Sequence, residues 1–494
     1  MQKTKMIFTI GPASDNEETL RKFIEIGMSA ARLNFSHGTH ESHKEKIDLI
    51  KRLRSEMNSP TAIVLDIKGP KIRTHNFIND GVELKEGNDF TFICGDEILG
   101  DETQCSISYK ELCEDIKVGG NILVDDGLLK FKVTGVEGNK IHTKVTVGGE
   151  IKNHKGVNVP NVIIKLPSIT EKDIEDIKFG CEMGVDFIAA SFIRKASDIL
   201  DVKKILQENN GNHIKVIAKI ENQEGVDNID SIIEVTDAVM VARGDMGVEI
   251  PIEKVPINQK MIIKKCNEAG KIVITATQML DSMIRNSLPT RAEASDICNA
   301  IFDGTDAIML SGESASGLFP IEAAKTMSKI AQETEQYLDY NHLTARFREP
   351  SLTDYAAAIS YSACRTANLL DAKAIVAATK SGATAKLLSR YKAKAPVIAI
   401  TPYDHVRRGL NLNFGLIPMQ CDMFNTTDEI LTEAKNVVFK LGITEPGDDI
   451  IVAAGMPTTQ TGGTNMLKIE KLYIIKLPII QLKKLYYGEF YYYY

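Results

Sequence analysis

The chain has 494 residues, 43% of them hydrophobic, and a net charge of -7, enough length for about three domains with a large buried core in at least one. The acidic balance leaves no footprint for nucleic acid or an anionic membrane, so an anionic ligand must be held by a local cluster of Arg and Lys, which points to a small substrate. No apolar stretch reaches membrane-spanning length, no targeting segment is read at the start and the eight cysteines form no CxxC pair, so the expectation is a cytoplasmic protein with free, buried thiols.

In chain order, short runs rich in Val, Ile and Ala recur, each closing on a polar or glycine-rich end. They lie at Met6 to Ile10, Ala30 to Phe35, Ala62 to Ile67, Val185 to Ser191, Val216 to Glu221, Ala238 to Ala242, Ile272 to Ala276 and Ala307 to Leu310. Buried strands with intervening helices in this number predict a (β/α)8 TIM barrel. Ser14 to Glu17 reads as a capping box for the first helix, with Leu20, Phe23 and Ile24 on its barrel-facing stripe.

After the third strand the period changes to alternation with turn clusters at Asp125-Asp126-Gly127 and Glu137-Gly138-Asn139. This predicts a small β-barrel over 70–166, inserted in the barrel (1–69 and 167–345) on the side where barrel active sites lie, and so placed to act as a lid. Pro320 to Leu338 reads as a helix, and the rhythm shifts near Arg348-Glu349-Pro350. Over 346–471, helices at 353–369, 383–392 and 427–441 alternate with strands at Ala374 to Ala378, Val397 to Thr401, Gly415 to Met419 and Asp449 to Ala453. That predicts a doubly wound α/β domain with ligands beyond the carboxyl ends of its strands. The Tyr-rich stretch 472–494 is assigned no structure, and the turn at Gly462-Gly463-Thr464-Asn465 is read as structural.

Polar residues gather at the carboxyl ends of the barrel strands. Arg32, Asn34 and Ser36 are spaced by two and share a face, as do Lys219 and Glu221. Asp66 and then Arg73 follow the third strand, Gly244 and Asp245 the sixth, Thr277 the seventh and Glu313 the eighth. Glu221 and Asp245 offer hard oxygen ligands in an incomplete set, which suits Mg2+ or Mn2+ sharing its shell with water and a substrate phosphate. The arginines and lysine suit the spreading charge of a phosphoryl group in transfer. No GxxxxGK[ST] or GxGxxG is present, so side chains and the metal must hold the phosphates. His37, His40 and His43 recur every three residues without a fourth ligand or an HExxH pattern, and are read as solvated.

Eight stretches carry a family resemblance: T-I-G-P-A-S at 9–14, R-L-N-F-S-H-G at 32–38, D-I-K-G-P-K-I-R-T at 66–74, N-H-K-G-V-N-V-P at 153–160, A-K-I-E-N at 218–222, M-V-A-R-G-D-M-G at 240–247, T-A-T-Q-M-L at 275–280 and M-L-S-G-E-S-A at 309–315. Through them the chain resembles the pyruvate kinase family along nearly its whole length. The resemblance implies transfer of the phosphoryl group of phosphoenolpyruvate to ADP, giving pyruvate and ATP, by a homotetramer. It makes Glu221 and Asp245 the divalent-metal ligands, and Lys219 the residue that stabilises the phosphoryl group in flight. Arg32, Thr277 and the backbone at Gly244 and Asp245 become substrate contacts, and Arg73, Lys155, Asn34 and His37 nucleotide contacts. Asn34, Ser36, Asp66 and the Ile67 carbonyl match a potassium site, but Lys71 stands where potassium-requiring members carry Glu, so potassium is expected not to be required. Thr379, Lys380, Ser381, Gly382 and Thr384 match a site for a sugar-phosphate or nucleotide effector. The alternative is a metal-dependent aldolase or lyase acting on pyruvate enolate in a related barrel; Arg73, Lys155 and Lys219 exceed what it needs.

Overall fold

The computed structural model describes residues 1–160, 162, 164–345, 354–457 and 463–473. Two compact units divide the chain: Met1–Asp339 with Tyr403–Pro418, and Tyr340–Pro402 with Met419–Tyr494.

In the first unit eight parallel strands close into a barrel, each paired with its sequence neighbours and the last with the first. They are Lys5–Thr9, Met28–Asn34, Ala62–Asp66, Phe187–Ala190, Lys215–Ile220, Ala238–Ala242, Ile272–Ala276 and Ala307–Leu310, within two residues of every expected end. Runs buried on both faces are what a parallel barrel demands of its strands. Inside, small Ala30, Ala62 and Ala238 fill the space left by bulky Phe187, Met240 and Ile274, so the interior is a packed core. Register sets Asn34 beside Asp66 and Asp66 beside Ala189, which brings the polar strand ends to one rim.

The first helix is Glu17–Ile26, and its N-cap is Asn16, whose Oδ1 accepts from Thr19 N at 3.0 Å. The expected box from Ser14 is therefore corrected: the Ser14 hydroxyl is spent in the preceding turn, bonding with the Gly11 backbone, and asparagine caps as well as serine. The histidines also depart from expectation. His43 is buried, stacks on Phe35 at 3.9 Å and reaches the His37 carbonyl at 2.8 Å, while His40 stacks on Phe179 and lies 2.7 Å from Asp176 Oδ1. These two rings are packing elements.

Within the insert, a seven-stranded sheet begins at Ile72–Arg73 and ends at Gln104–Ile107, and a Thr74 to Ile107 bridge brings its two ends together into a near-closed barrel. Phe90, Phe92 and Phe131 meet at its centre with ring centroids 5.0–5.3 Å apart. Asp125, Asp126 and Gly127 all take positive φ, the geometry of a tight hairpin turn. Cys94 and Cys113 are joined in a disulfide here, which corrects the expectation of free thiols throughout. The strand carrying Cys94 and the short helix carrying Cys113 pack on one core, a proximity that 19 residues of sequence separation did not reveal.

In the second unit, Val397–Thr401, Ala374–Ala378 and Asp449–Ala454 run parallel, and Met466–Lys471 pairs antiparallel with the last of these. The sheet is thus mixed, mostly parallel with one antiparallel edge strand, in keeping with the doubly wound α/β domain expected. The strand expected at Gly415 to Met419 forms at Leu416–Gln420. By contacts Tyr403–Pro418 groups with the first unit: Leu412 enters the barrel core, and Asn411 Nδ2 donates to Ser29 O and Pro60 O at 2.8 and 3.0 Å. Arg348 to Pro350, Gly462 and all but the first two residues of 472–494 lie outside the described residues. Among the described residues no helix is long and apolar enough to cross a membrane.

Candidate active site

Lys219 is the penultimate residue of the fifth barrel strand, its ammonium buried among acids and a hydroxyl. Nζ lies 3.2 Å from Asp66 Oδ1, 3.0 Å from Glu221 Oε1 and 2.7 Å from Ser191 Oγ. Burial works against the charge, but Asp66 and Glu221 outweigh it and raise the lysine pKa, so the group stays an ammonium. Arg32 completes the lattice from the second strand: its Nε donates to Asp66 Oδ2 at 2.6 Å and Nη1 to Thr9 Oγ1 at 2.9 Å. Burial also opposes ionisation of Asp66, yet Arg32 and Lys219 together hold its carboxyl below the usual range. Asp66 is thus the shared anchor of two cations.

Burial, opposed by Lys219 and aided by the like charge of Asp245, pushes the Glu221 carboxyl up to about 7. A carboxylate strained in this way gains from a further cation at its second neighbour. Glu221 Oε2 accepts the Phe192 N–H at 2.6 Å, which fixes the carboxyl plane, while Asp245 has a third of its side chain exposed. Among the described residues no group of three or more His, Cys, Asp or Glu side chains converges. Two hard oxygen donors in an open set fit Mg2+ or Mn2+ completed by water and substrate, and do not fit a closed cage.

Thr277 follows the seventh strand at φ +70°, a conformation that a β-branched residue adopts only under constraint. The constraint is visible. Arg243 donates to the Thr277 carbonyl at 2.6 Å and the Ala276 carbonyl at 3.2 Å, and is itself held by Asp296 at 2.6 Å. Thr277 Oγ1 accepts the Gly244 N–H at 2.7 Å, so that amide, expected to face a substrate carboxylate, is already engaged.

The remaining candidates are placed as follows. Asn34 Oδ1 accepts from Ser36 N at 3.1 Å, and the Ile67 carbonyl accepts from Ser191 Oγ at 2.7 Å. Lys71 Nζ lies 3.1 Å from Asp126 Oδ1 and 3.7 Å from Asp245 Oδ1; it is drawn to these carboxylates, while both oxygens of Asp66 are taken by Arg32 and Lys219. Arg73 donates to the His154 carbonyl at 2.8 Å and Lys155 pairs with Asp125 at 3.0 Å. The His37 carbonyl is bonded to His43. Glu313, buried, accepts from the Leu280 and Ser311 amides and is a structural brace. In the second unit, Thr379 Oγ1 accepts from Gly382 N at 2.9 Å, Ser381 Oγ from Ala383 N at 3.4 Å, Thr384 Oγ1 meets Thr464 Oγ1 at 2.8 Å, and Lys380 Nζ lies over the Phe424 ring.

Family models decide the classification. "Pyruvate kinase, barrel domain" matches residues 1–324 and "Pyruvate kinase, alpha/beta domain" residues 357–470. The chain belongs to the pyruvate kinase family. Pyruvate kinase of Clostridium perfringens is 70% identical over 474 residues, 96% of this chain and 100% of that one. The Clostridium acetobutylicum enzyme is 55% identical, covering 95% and 99%. A crystal structure of a Cryptosporidium parvum pyruvate kinase superposes with a TM-score of 0.91 at 38% identity, covering 95% of this chain and 96% of that one. The chain is accordingly a phosphotransferase of a family that uses a divalent metal. Two residues were not read from the sequence. Ser191 has a signal, since it is the polar end of an expected barrel strand like the others; Arg243 stands in the stretch at 240–247, but its bracing role has no local signal, because its partner Asp296 lies 53 residues on.

Proposed function

We propose that the barrel rim transfers the phosphoryl group of phosphoenolpyruvate to ADP, giving pyruvate and ATP, with Lys219 as the charge that meets the group in flight. The observation that carries this reading is the Lys219 ammonium, kept charged and buried beside the two carboxylates Asp66 and Glu221. Buried, prepositioned charge costs no reorganisation when the phosphoryl oxygens spread their own. Glu221 and Asp245 hold Mg2+ or Mn2+, which when bound supplies charge neutralisation across the phosphate oxygens. Arg32, its plane fixed by Asp66 and Thr9, orients the substrate phosphate. Thr277, held at positive φ, and the helix start at Gly244 and Asp245 face the enolpyruvate. Arg73, Lys155, Asn34 and His37 contact the nucleotide, the first two by releasing their contacts within the insert.

Because a proton competes with the metal for Glu221, Mn2+ affinity rises as pH climbs through about 7 and levels off above it. A Mn2+ titration followed by electron paramagnetic resonance measures this; an affinity flat from acid to alkaline pH would remove Glu221 from the ligand set.

Lys71, 3.7 Å from Asp245 Oδ1, supplies a fixed positive charge in place of the potassium ion that Asn34, Ser36, Asp66 and the Ile67 carbonyl match by family likeness. ATP formation with magnesium is therefore expected to persist when tetramethylammonium replaces potassium. A rate that collapses on that replacement would contradict the role of Lys71 and leave the kinase reading standing; no turnover with either ion would count against the kinase reading itself. The Thr379–Thr384 loop takes the phosphate of a sugar-phosphate or nucleotide effector, and the working assembly is a cytoplasmic homotetramer, both by family likeness.

A further inference from the structure

Ser191 lies one residue past the fourth barrel strand and is 3% exposed. Its Oγ stands 2.7 Å from Lys219 Nζ, 2.7 Å from the Ile67 carbonyl oxygen and 3.4 Å from Asp66 Oδ1. An ammonium has only protons to give, so a Ser191 lone pair must face Lys219, and of the two acceptors open to the hydroxyl proton the Ile67 carbonyl at 2.7 Å is favoured over Asp66 Oδ1 at 3.4 Å. The serine cannot drift either: Gly69, at φ +68°, passes so close that a Cβ there would stand 2.9 Å from Ser191 Cβ.

The other contacts of Lys219 Nζ are carboxylates, Asp66 at 3.2 Å and Glu221 at 3.0 Å. A flexible four-carbon stem between two opposing charges has no reason of its own to rest where a phosphoryl group needs it. We propose that Ser191 is a positioning residue for phosphoryl transfer, its hydroxyl tying the Lys219 ammonium to the Ile67 backbone so that the charge is held at one point between Asp66 and Glu221. This rests on the reading of Lys219 given above.

The test is steady-state and single-turnover kinetics of the full-length protein carrying Ser191→Ala or Ser191→Cys, alone and combined with Lys219→Met. Ser191→Ala is expected to lower kcat about 10- to 100-fold, the scale of a slight misplacement of a reacting group, with KM for both substrates within about twofold. Cysteine fills the same space but bonds weakly, so Ser191→Cys is expected to be as slow as Ser191→Ala. In the Lys219→Met background, Ser191→Ala is expected to change the rate by less than about twofold, because a residue acting through the lysine has nothing left to position. Recovery of wild-type kcat by Ser191→Cys would mean that the serine only packs, and equal losses in both backgrounds would mean that it acts elsewhere; either overturns the proposal while Lys219 keeps its role. An unchanged kcat in Lys219→Met alone overturns both.

Discussion

Lys219→Met is expected to lower kcat by about 10³-fold or more while phosphoenolpyruvate and divalent-metal binding persist. The size follows from comparison: losing one neutral oxyanion donor costs about 10²–10³, and losing a full charge at a transferring phosphoryl group about 10³–10⁵. Nζ is a full charge, buried, and held by three partners. Its contribution is largest where negative charge is spreading, so the loss appears in kcat. Metal binding should tighten if anything, because Glu221 and Asp66 lose the cation that now shares them. Steady-state kinetics with a parallel Mn2+ titration reads both quantities. A variant with weak substrate binding and an unchanged maximal rate would move Lys219 out of the chemical step.

Asp186→Ala is expected to give the largest loss of stability. This buried carboxylate joins three elements of the first unit: Oδ1 accepts from Arg408 Nε at 2.6 Å, and Oδ2 from Arg54 Nη1 at 3.1 Å and from Ile63 N at 2.9 Å. Its side chain is 3% exposed and those of Arg54 and Arg408 are 11% and 14% exposed. Removing the acid leaves two largely buried guanidinium groups facing each other and an amide without an acceptor, at a cost of about 3–5 kcal/mol. Urea unfolding would show it as a lower midpoint. By contrast, Glu18→Ala removes a solvent-exposed pair with Lys22 and should not shift the midpoint measurably. Equal effects of the two substitutions would contradict this account of how Tyr403–Pro418 is held.

What the sequence made legible was whatever local period or spacing can carry. Val, Ile and Ala runs gave the barrel strands to within two residues, since strands buried on both faces read as continuous apolar segments. The two-residue spacings of Arg32 with Asn34, and Lys219 with Glu221, put the right side chains on one face before any tertiary information. What escaped depended on contacts distant in sequence. Leu412 looks like any apolar residue of a C-terminal domain until the barrel core is seen to receive it. His40 reads as polar, yet Asp176 and Phe179, far along the chain, make it a packing residue. Ser14 matched a capping pattern, but the Gly11 turn competed for its hydroxyl, and a local alternative of that kind is what serine offers most readily. Asp66 was expected among the oxygens of a cation site by family likeness, while its pairing, Arg32 on one oxygen and Lys219 on the other, required the register of neighbouring strands.

The central claim is that charge buried at the barrel rim drives phosphoryl transfer, and the most direct test is a single-turnover measurement of ATP formation from phosphoenolpyruvate and ADP with magnesium, wild type beside Lys219→Met at saturating enzyme. The account predicts rapid ATP formation by the wild type and a chemical step at least about 10³-fold slower in the variant, with both proteins binding phosphoenolpyruvate. Equal single-turnover rates, or no ATP from the folded wild type, would contradict it.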